Sequence, residues 1–223
     1  MKTKVHVVPH SHWDREWYFT TSRSKIYLMK DFKDIIDTLE NNDEFKYFMI
    51  DAQASLLDDY LKWMPEDESR IKSVVQKGKL IIGPWYTQTD QLVISGESIV
   101  RNLYYGIQRC KDFGNYMKVG YVPDSFGQSA QMPQIYSGFG IKDSLFWRGV
   151  SDDMTDCTEF NWKGSDGTVV FAVQIPYGYF YGGNIPENED ELKVYLKEQV
   201  ERLKNIASTN NVYFPNGFDQ API

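Results

Sequence analysis

The strongest constraint on this chain is an alternation. Short β-rich runs give way to amphipathic helical stretches and then to the next β-rich run, about seven times over. The runs are Lys4–Val8, Lys46–Ile50, Lys79–Ile82, Lys118–Val122, Ser144–Trp147, Thr168–Ile175 and Asn211–Phe214. Between them, Ile26, Met29, Phe32, Ile35, Ile36 and Leu39 recur at three- and four-residue spacing, as do Leu192, Tyr195, Leu196, Leu203 and Ile206. Such spacing lays one apolar stripe along a helix. Strands joined through helices run parallel, because a parallel neighbour is reached only by a crossover. The expected fold is therefore α/β: one domain over residues 1–223, with seven mainly parallel strands and covering helices. An open sheet and an irregular barrel both satisfy this pattern.

Composition narrows the partners. The 223 residues are 42% hydrophobic and 15% aromatic, enough for one substantial core. A formal charge of −7 excludes the broad basic face of a nucleic-acid binder. No stretch approaches the ~20 apolar residues of a membrane span, so no membrane partner is expected. The basic start at Met1-Lys2-Thr3-Lys4 is followed by an apolar run too short for a signal peptide. Cys110 and Cys157 fit no CxxC pattern and read as reduced thiols of a cytoplasmic protein. A homo-oligomer is left open.

Parallel α/β folds place their chemistry beyond the carboxyl ends of the strands. There the sequence sets His10-Ser11-His12-Trp13-Asp14, Asp51-Ala52-Gln53, Gly83-Pro84-Trp85-Tyr86, Pro123-Asp124-Ser125-Phe126-Gly127, Arg148, Pro176-Tyr177-Gly178-Tyr179 and Gly217-Phe218-Asp219. In an extended segment, residues two apart point the same way, so His12 and Asp14 could grip one metal ion. His10 could join them or stand behind them, and ordinary loop hydrogen bonds are the plainer alternative. Asp124 reads locally as a helix N-cap and Asp219 as a turn aspartate. Their shared edge makes both candidate catalytic carboxylates. A retaining glycosidase needs two such groups roughly 5–5.5 Å apart. Trp13, Trp17, Trp85, Phe126, Tyr177 and Tyr179 bring aromatic faces to the same rim. One or two would touch a sugar, Trp17 first, and core packing accounts for the rest. Arg148 could hold a site carboxylate or an anionic substrate. Phosphate-binding glycine loops and a serine nucleophile elbow are absent.

Two long segments carry a resemblance. Val7-Val8-Pro9-His10-Ser11-His12-Trp13-Asp14-Arg15-Glu16-Trp17 and Tyr121-Val122-Pro123-Asp124-Ser125-Phe126-Gly127-Gln128-Ser129 resemble the signature segments of glycoside hydrolase family 38, the retaining α-mannosidases. Ile82–Asp90 and Ser95–Leu103 look most like bacterial mannosylglycerate hydrolases. The resemblance implies a seven-stranded barrel-like catalytic domain and a Zn2+ ion held by His12, Asp14 and Asp124. Asp124 would also be the nucleophile, Asp219 the acid/base and Trp17 the floor beneath the mannose. Arg148 would steer the nucleophile, with Phe126 and Tyr179 beside the substrate. It also implies one further histidine ligand far downstream. All three histidines here precede Trp13, so that ligand lies outside this chain, which reads as the N-terminal part of a longer multidomain protein.

The expected reaction is a double displacement on an α-D-mannoside. The substrate would be mannosylglycerate, with or without a 6-phosphate, or a neutral α-linked manno-oligosaccharide. Arg15, Arg23, Lys25 and Arg148 are the cations available to an anionic substrate. Two readings from other classes are a non-catalytic carbohydrate-binding domain and a metal-dependent deacetylase.

Overall fold

The computed structural model describes residues 2–151 and 153–220. In chain order its elements are β1 (Lys4–Pro9), α1 (Thr21–Asn41), β2 (Phe48–Met49), α2 (Ser55–Leu61), a 3-10 turn at Pro65–Asp67, α3 (Glu68–Gln76), β3 (Leu80–Ile81), α4 (Gly96–Lys111), β4 (Val119–Val122), α5 (Met132–Gly138), β5 (Asp143–Phe146), β6 (Glu159–Lys163), β7 (Val169–Gln174), α6 (Glu189–Lys204) and β8 (Asn211–Asn216). The expected α/β alternation is present. The chain forms two compact units interleaved in sequence. One comprises the stretch up to Val8, Thr89–Gly96 and Lys118–Asn216; the other comprises Pro9–Gln88, Glu97–Met117 and the stretch from Gly217 on.

In the first unit, β4, β5 and β7 run parallel, with Tyr121 opposite Leu145 and Leu145 opposite Val173. Strand β6 closes the edge antiparallel to β7, with Phe160 opposite Ala172. The sequence reading did not anticipate β6. It turns Phe160 and Trp162 to one face, where both meet Phe146 edge-on, ring centres 6.3 and 5.5 Å away. Strand β1 pairs with β8. Helix α6 starts where the Asn188 side chain accepts the backbone N–H groups of Asp190 and Glu191, satisfying donors that the first helical turn leaves open. Tyr195, Leu196 and Leu203 of α6 pack with Val212 and Phe214 of β8. Ile206, expected on that stripe, lies past the helix end at Lys204.

In the second unit, β2 and β3 pair in parallel. Single parallel bridges add His10 to Met49, Gln53 to Trp85 and His12 to Asp219. Helix α1 buries Leu28, Phe32, Ile35, Ile36 and Leu39 against Tyr60, Ile71, Val74 and Phe113. Each such side chain stabilises the fold by roughly 1.5–3 kcal/mol. Ile26 was expected on this stripe but is 69% exposed; two residues from Leu28, it faces the other side of the helix. Among the described residues the strands lie in three small sheets, parallel and mixed, rather than in one continuous seven-stranded one.

Helix α4 lies so close to the strand-end loop that a Cβ at Gly106 would meet Trp85 C and Tyr86 N at 2.2 Å. Both are backbone atoms and cannot swing aside. Gly106→Ala is expected to cost roughly 1–3 kcal/mol, as overpacking of a filled core does. Gly138→Ala, with nothing within 4 Å of the added methyl, is the control. Chemical denaturation compares the two, and equal midpoints would contradict the packing described.

Candidate active site

The end of β1 turns inward. His10, Ser11, His12 and Trp13 are all buried, which is unusual for a histidine-rich loop and requires that their polar atoms find partners. His12 finds Asp51. Its Nδ1 stands 3.0 Å from Asp51 Oδ1 and 3.0 Å from Oδ2. The same carboxylate, fully buried, accepts the Trp13 backbone N–H at 3.0 Å and Gln53 Nε2 at 2.8 Å. Gln53 is itself fixed, its Oε1 accepting Thr87 Oγ1 at 3.0 Å and the Gln88 backbone N–H at 3.1 Å. Gln88 Nε2 donates to the Asp51 carbonyl at 2.6 Å. Asp51 and Ala52 both adopt left-handed backbone, with φ of 48° and 58°. For non-glycine residues that costs on the order of 1–3 kcal/mol each and persists only where the surroundings over-determine it.

On its other edge, His12 Nε2 faces Asp14 Oδ2 at 3.5 Å. Burial lowers the pKa of this imidazole, but the Asp51 and Asp14 carboxylates outweigh that and hold it well above its ordinary value. The pocket thus stabilises positive charge at this point. The donor set also fits zinc. Neighbouring atoms on a tetrahedral zinc, with bonds of about 2.0–2.2 Å, stand roughly 3.3–3.5 Å apart, matching the observed pair. His12 and Asp14 would supply two of its ligands, and among the described residues no cluster of three or more metal-binding side chains is assembled.

Asp219 reaches the same place from the far end of the chain. The His12 N–H bonds the Phe218 carbonyl at 3.0 Å, and the Gln220 N–H bonds the His12 carbonyl at 2.7 Å. Gln220 Nε2 continues to the Asp14 carbonyl at 2.5 Å. Approach this close requires glycine at 217, where a Cβ would stand 1.9 Å from the His10 carbonyl oxygen. Tyr18 donates its hydroxyl to Asp219 Oδ2 at 3.1 Å, and that bond holds the phenol above its usual range. Beside it, Trp17 is 72% exposed and presents a free aromatic face. Trp13 and Trp85 are buried instead and serve packing.

The first unit carries the other carboxylate. Asp124 follows β4, and Arg148 follows β5. Arg148 Nε and Nη2 contact Asp124 Oδ1 at 2.8 and 2.7 Å. Both fall on one oxygen, so Oδ2 is the one the guanidinium does not occupy. The local expectation of an N-cap at Asp124 is corrected: α5 begins only at Met132, after Gln131. Arg148 is sandwiched, its guanidinium carbon 3.9 Å from the Trp147 ring centre and 4.6 Å from that of Phe126. Cation–π attraction of this kind holds an arginine in place. Phe126 is 68% exposed, whereas Tyr179 is 4% exposed and stacks edge-on behind Trp147 at 6.0 Å.

Asp51, Gln53, Tyr18 and Trp147 were not singled out from sequence. Of these, Asp51 and Gln53 carried a usable signal, since both follow a strand. Among the remaining cations, Arg15 and Lys25 share Asp59 at 2.7 and 3.1 Å. Arg23 lies 4.5 Å above the Phe19 ring.

Each unit thus carries carboxylates and an exposed aromatic ring beside its strand ends. Comparison gives the family. The chain belongs to the glycosyl hydrolases family 38, whose N-terminal domain model matches residues 2–222. A relative from Halalkalibacterium halodurans, named "Putative mannosylglycerate hydrolase", is 35% identical over all of this chain and 26% of its own length. The crystal structure of an alpha-mannosidase from Enterococcus faecalis V583 superposes with a TM-score of 0.95 at 37% identity, over 99% of this chain and 25% of that one. A second family 38 protein from Enterococcus faecalis gives 0.79 at 32% identity, over 97% and 23%. The chain spans about a quarter of the length of these relatives.

The Gly217 contact yields a direct test. Gly217→Ala must push the 218–220 segment off the His12 strand. Hydrogen exchange at the His12 and Gln220 amides is then expected to accelerate, while the Phe171 amide, bonded to the Lys142 carbonyl, stays protected. Unchanged exchange at His12 and Gln220 would show that the close approach is dispensable.

Proposed function

We propose that this chain is the N-terminal catalytic domain of a longer retaining α-mannosidase, in which residues 1–223 form most of a zinc-dependent site in a barrel-like fold. The observation that carries this reading is the Arg148 clamp on Asp124. It orients one carboxylate at a strand end and leaves Oδ2 available to attack. His12, Asp14 and Asp124 would hold zinc, whose chemistry is to grip sugar hydroxyls as a Lewis acid. The 3.5 Å spacing of His12 and Asp14 supports the first two as ligands, and family membership supports the third.

In the first step Asp124 attacks the anomeric carbon. The bond to the leaving oxygen breaks as Asp219 gives that oxygen a proton, and a mannosyl ester on Asp124 forms. In the second step Asp219 takes a proton from water. The resulting oxygen nucleophile displaces Asp124, and both carboxyl groups return to their starting states. Tyr18 holds the Asp219 carboxyl, and Trp17 offers its exposed face to the apolar side of the sugar. Phe126 serves the site through Arg148 and at the substrate's edge, and Tyr179 serves it from behind Trp147. A cytoplasmic location belongs to this reading, since reduced thiols such as Cys110 and Cys157 fit that compartment.

Mannosylglycerate is the substrate favoured by the Halalkalibacterium halodurans relative's name. Arg15 and Lys25 share the single carboxylate of Asp59, so that trio keeps one positive charge for an anionic aglycone. A neutral manno-oligosaccharide is the second reading, favoured by the engagement of Arg148 with Asp124.

The roles separate in full-length variants. Asp124→Ala is expected to lower kcat for every α-mannoside by at least about 10³-fold. Asp219→Ala should spare aryl mannosides, whose leaving groups need no proton, in the first step only, and added azide should restore turnover. Undiminished turnover by Asp124→Ala would end this mechanism.

A further inference from the structure

We propose that Asp51 is a positioning residue for the metal: its carboxylate fixes the His12 imidazole so that Nε2, the nitrogen beside Asp14, is the one presented as ligand. This rests on the zinc reading above and adds to it a residue outside both long sequence motifs.

A neutral imidazole carries one N–H and one lone pair. Whichever nitrogen donates a hydrogen bond, the other is left to bind metal. An ionised carboxylate can only accept, so a carboxylate 3.0 Å from Nδ1 keeps the proton on Nδ1 when a metal takes the place of the proton on Nε2. It also strengthens the imidazole as a ligand, as carboxylate partners of metal-bound histidines do.

The surroundings demand a carboxylate here. Its two oxygens meet three donors, His12 Nδ1, the Trp13 N–H and Gln53 Nε2, in a fully buried position. An asparagine would aim its own NH2 at one or more of those donors. Gln53 is oriented by Thr87 and Gln88, so its amide cannot turn over to compensate without breaking both bonds. The left-handed backbone at Asp51 and Ala52 is the cost of bringing the carboxylate to this point. A residue serving only the core would not need that strain.

The test uses the full-length enzyme and zinc alone. Asp51→Asn is expected to weaken zinc binding 10- to 100-fold, measured by competition with a chromophoric chelator. The zinc-induced rise in melting temperature should shrink accordingly. A merely structural role would lower the melting temperature of zinc-free and zinc-loaded enzyme equally and leave that difference intact. Should Asp51→Asn fail to fold, the zinc-loaded wild-type crystal structure decides, with Nε2 on the metal and Nδ1 on Asp51 as the expected result. Zinc on Nδ1, or wild-type affinity in Asp51→Asn, would overturn the proposal alone. Zinc bound away from His12 altogether would overturn the metal reading beneath it.

Discussion

The buried carboxylate of Asp51 is the point on which the His12 segment depends. Three donors from the ends of the first two strands converge on it, and the third strand's loop reaches it through Gln53 and Gln88. A fully buried charge is tolerated only when it is this well satisfied. The arrangement therefore cannot loosen at one bond without leaving an ionised group stranded. His12 inherits its orientation from that constraint, and Asp219 inherits its place from the backbone bonds to His12.

Asp124 is held on a different principle. Asp124 is not deeply buried; its side chain is 24% exposed, and that of Arg148 is 34% exposed. What holds it is the direction of the guanidinium, and the rings of Trp147 and Phe126 fix that direction. The attacking role proposed for Asp124 needs a carboxylate that substrate can reach, unlike that of Asp51. The aromatic-clamped arginine keeps Oδ1 engaged. The exposed Phe126 thus helps to fix Arg148.

Much of this was legible in the residues. The seven β-rich runs coincide with β1 to β5, β7 and β8, because strand-end turns and apolar cores leave strong local patterns. Strand β6 was missed because Glu159–Lys163 follows a loop-rich stretch and lies on a sheet edge, where half its residues face water and the apolar signal is weak. His12, Asp14, Asp124 and Arg148 were recognisable because they lie in or beside long contiguous motifs. Asp51 was not, because its function lies in a left-handed turn and in partners close in space but 38 or 39 residues away in sequence. Trp85, for which core packing was the expected alternative, and Tyr179 are both buried. An aromatic after a strand reads as rim, yet whether it points to solvent or core is set by the packing behind it.

The account's central claim is that Asp124 and Asp219 act in turn on one glycosidic bond, with two displacements and therefore retained configuration. The most direct measurement is proton NMR of an α-mannoside with the full-length enzyme, recorded before mutarotation sets in. The account expects α-mannose as the first-formed product. β-Mannose appearing first would contradict it, since a single displacement by water needs no nucleophile at Asp124.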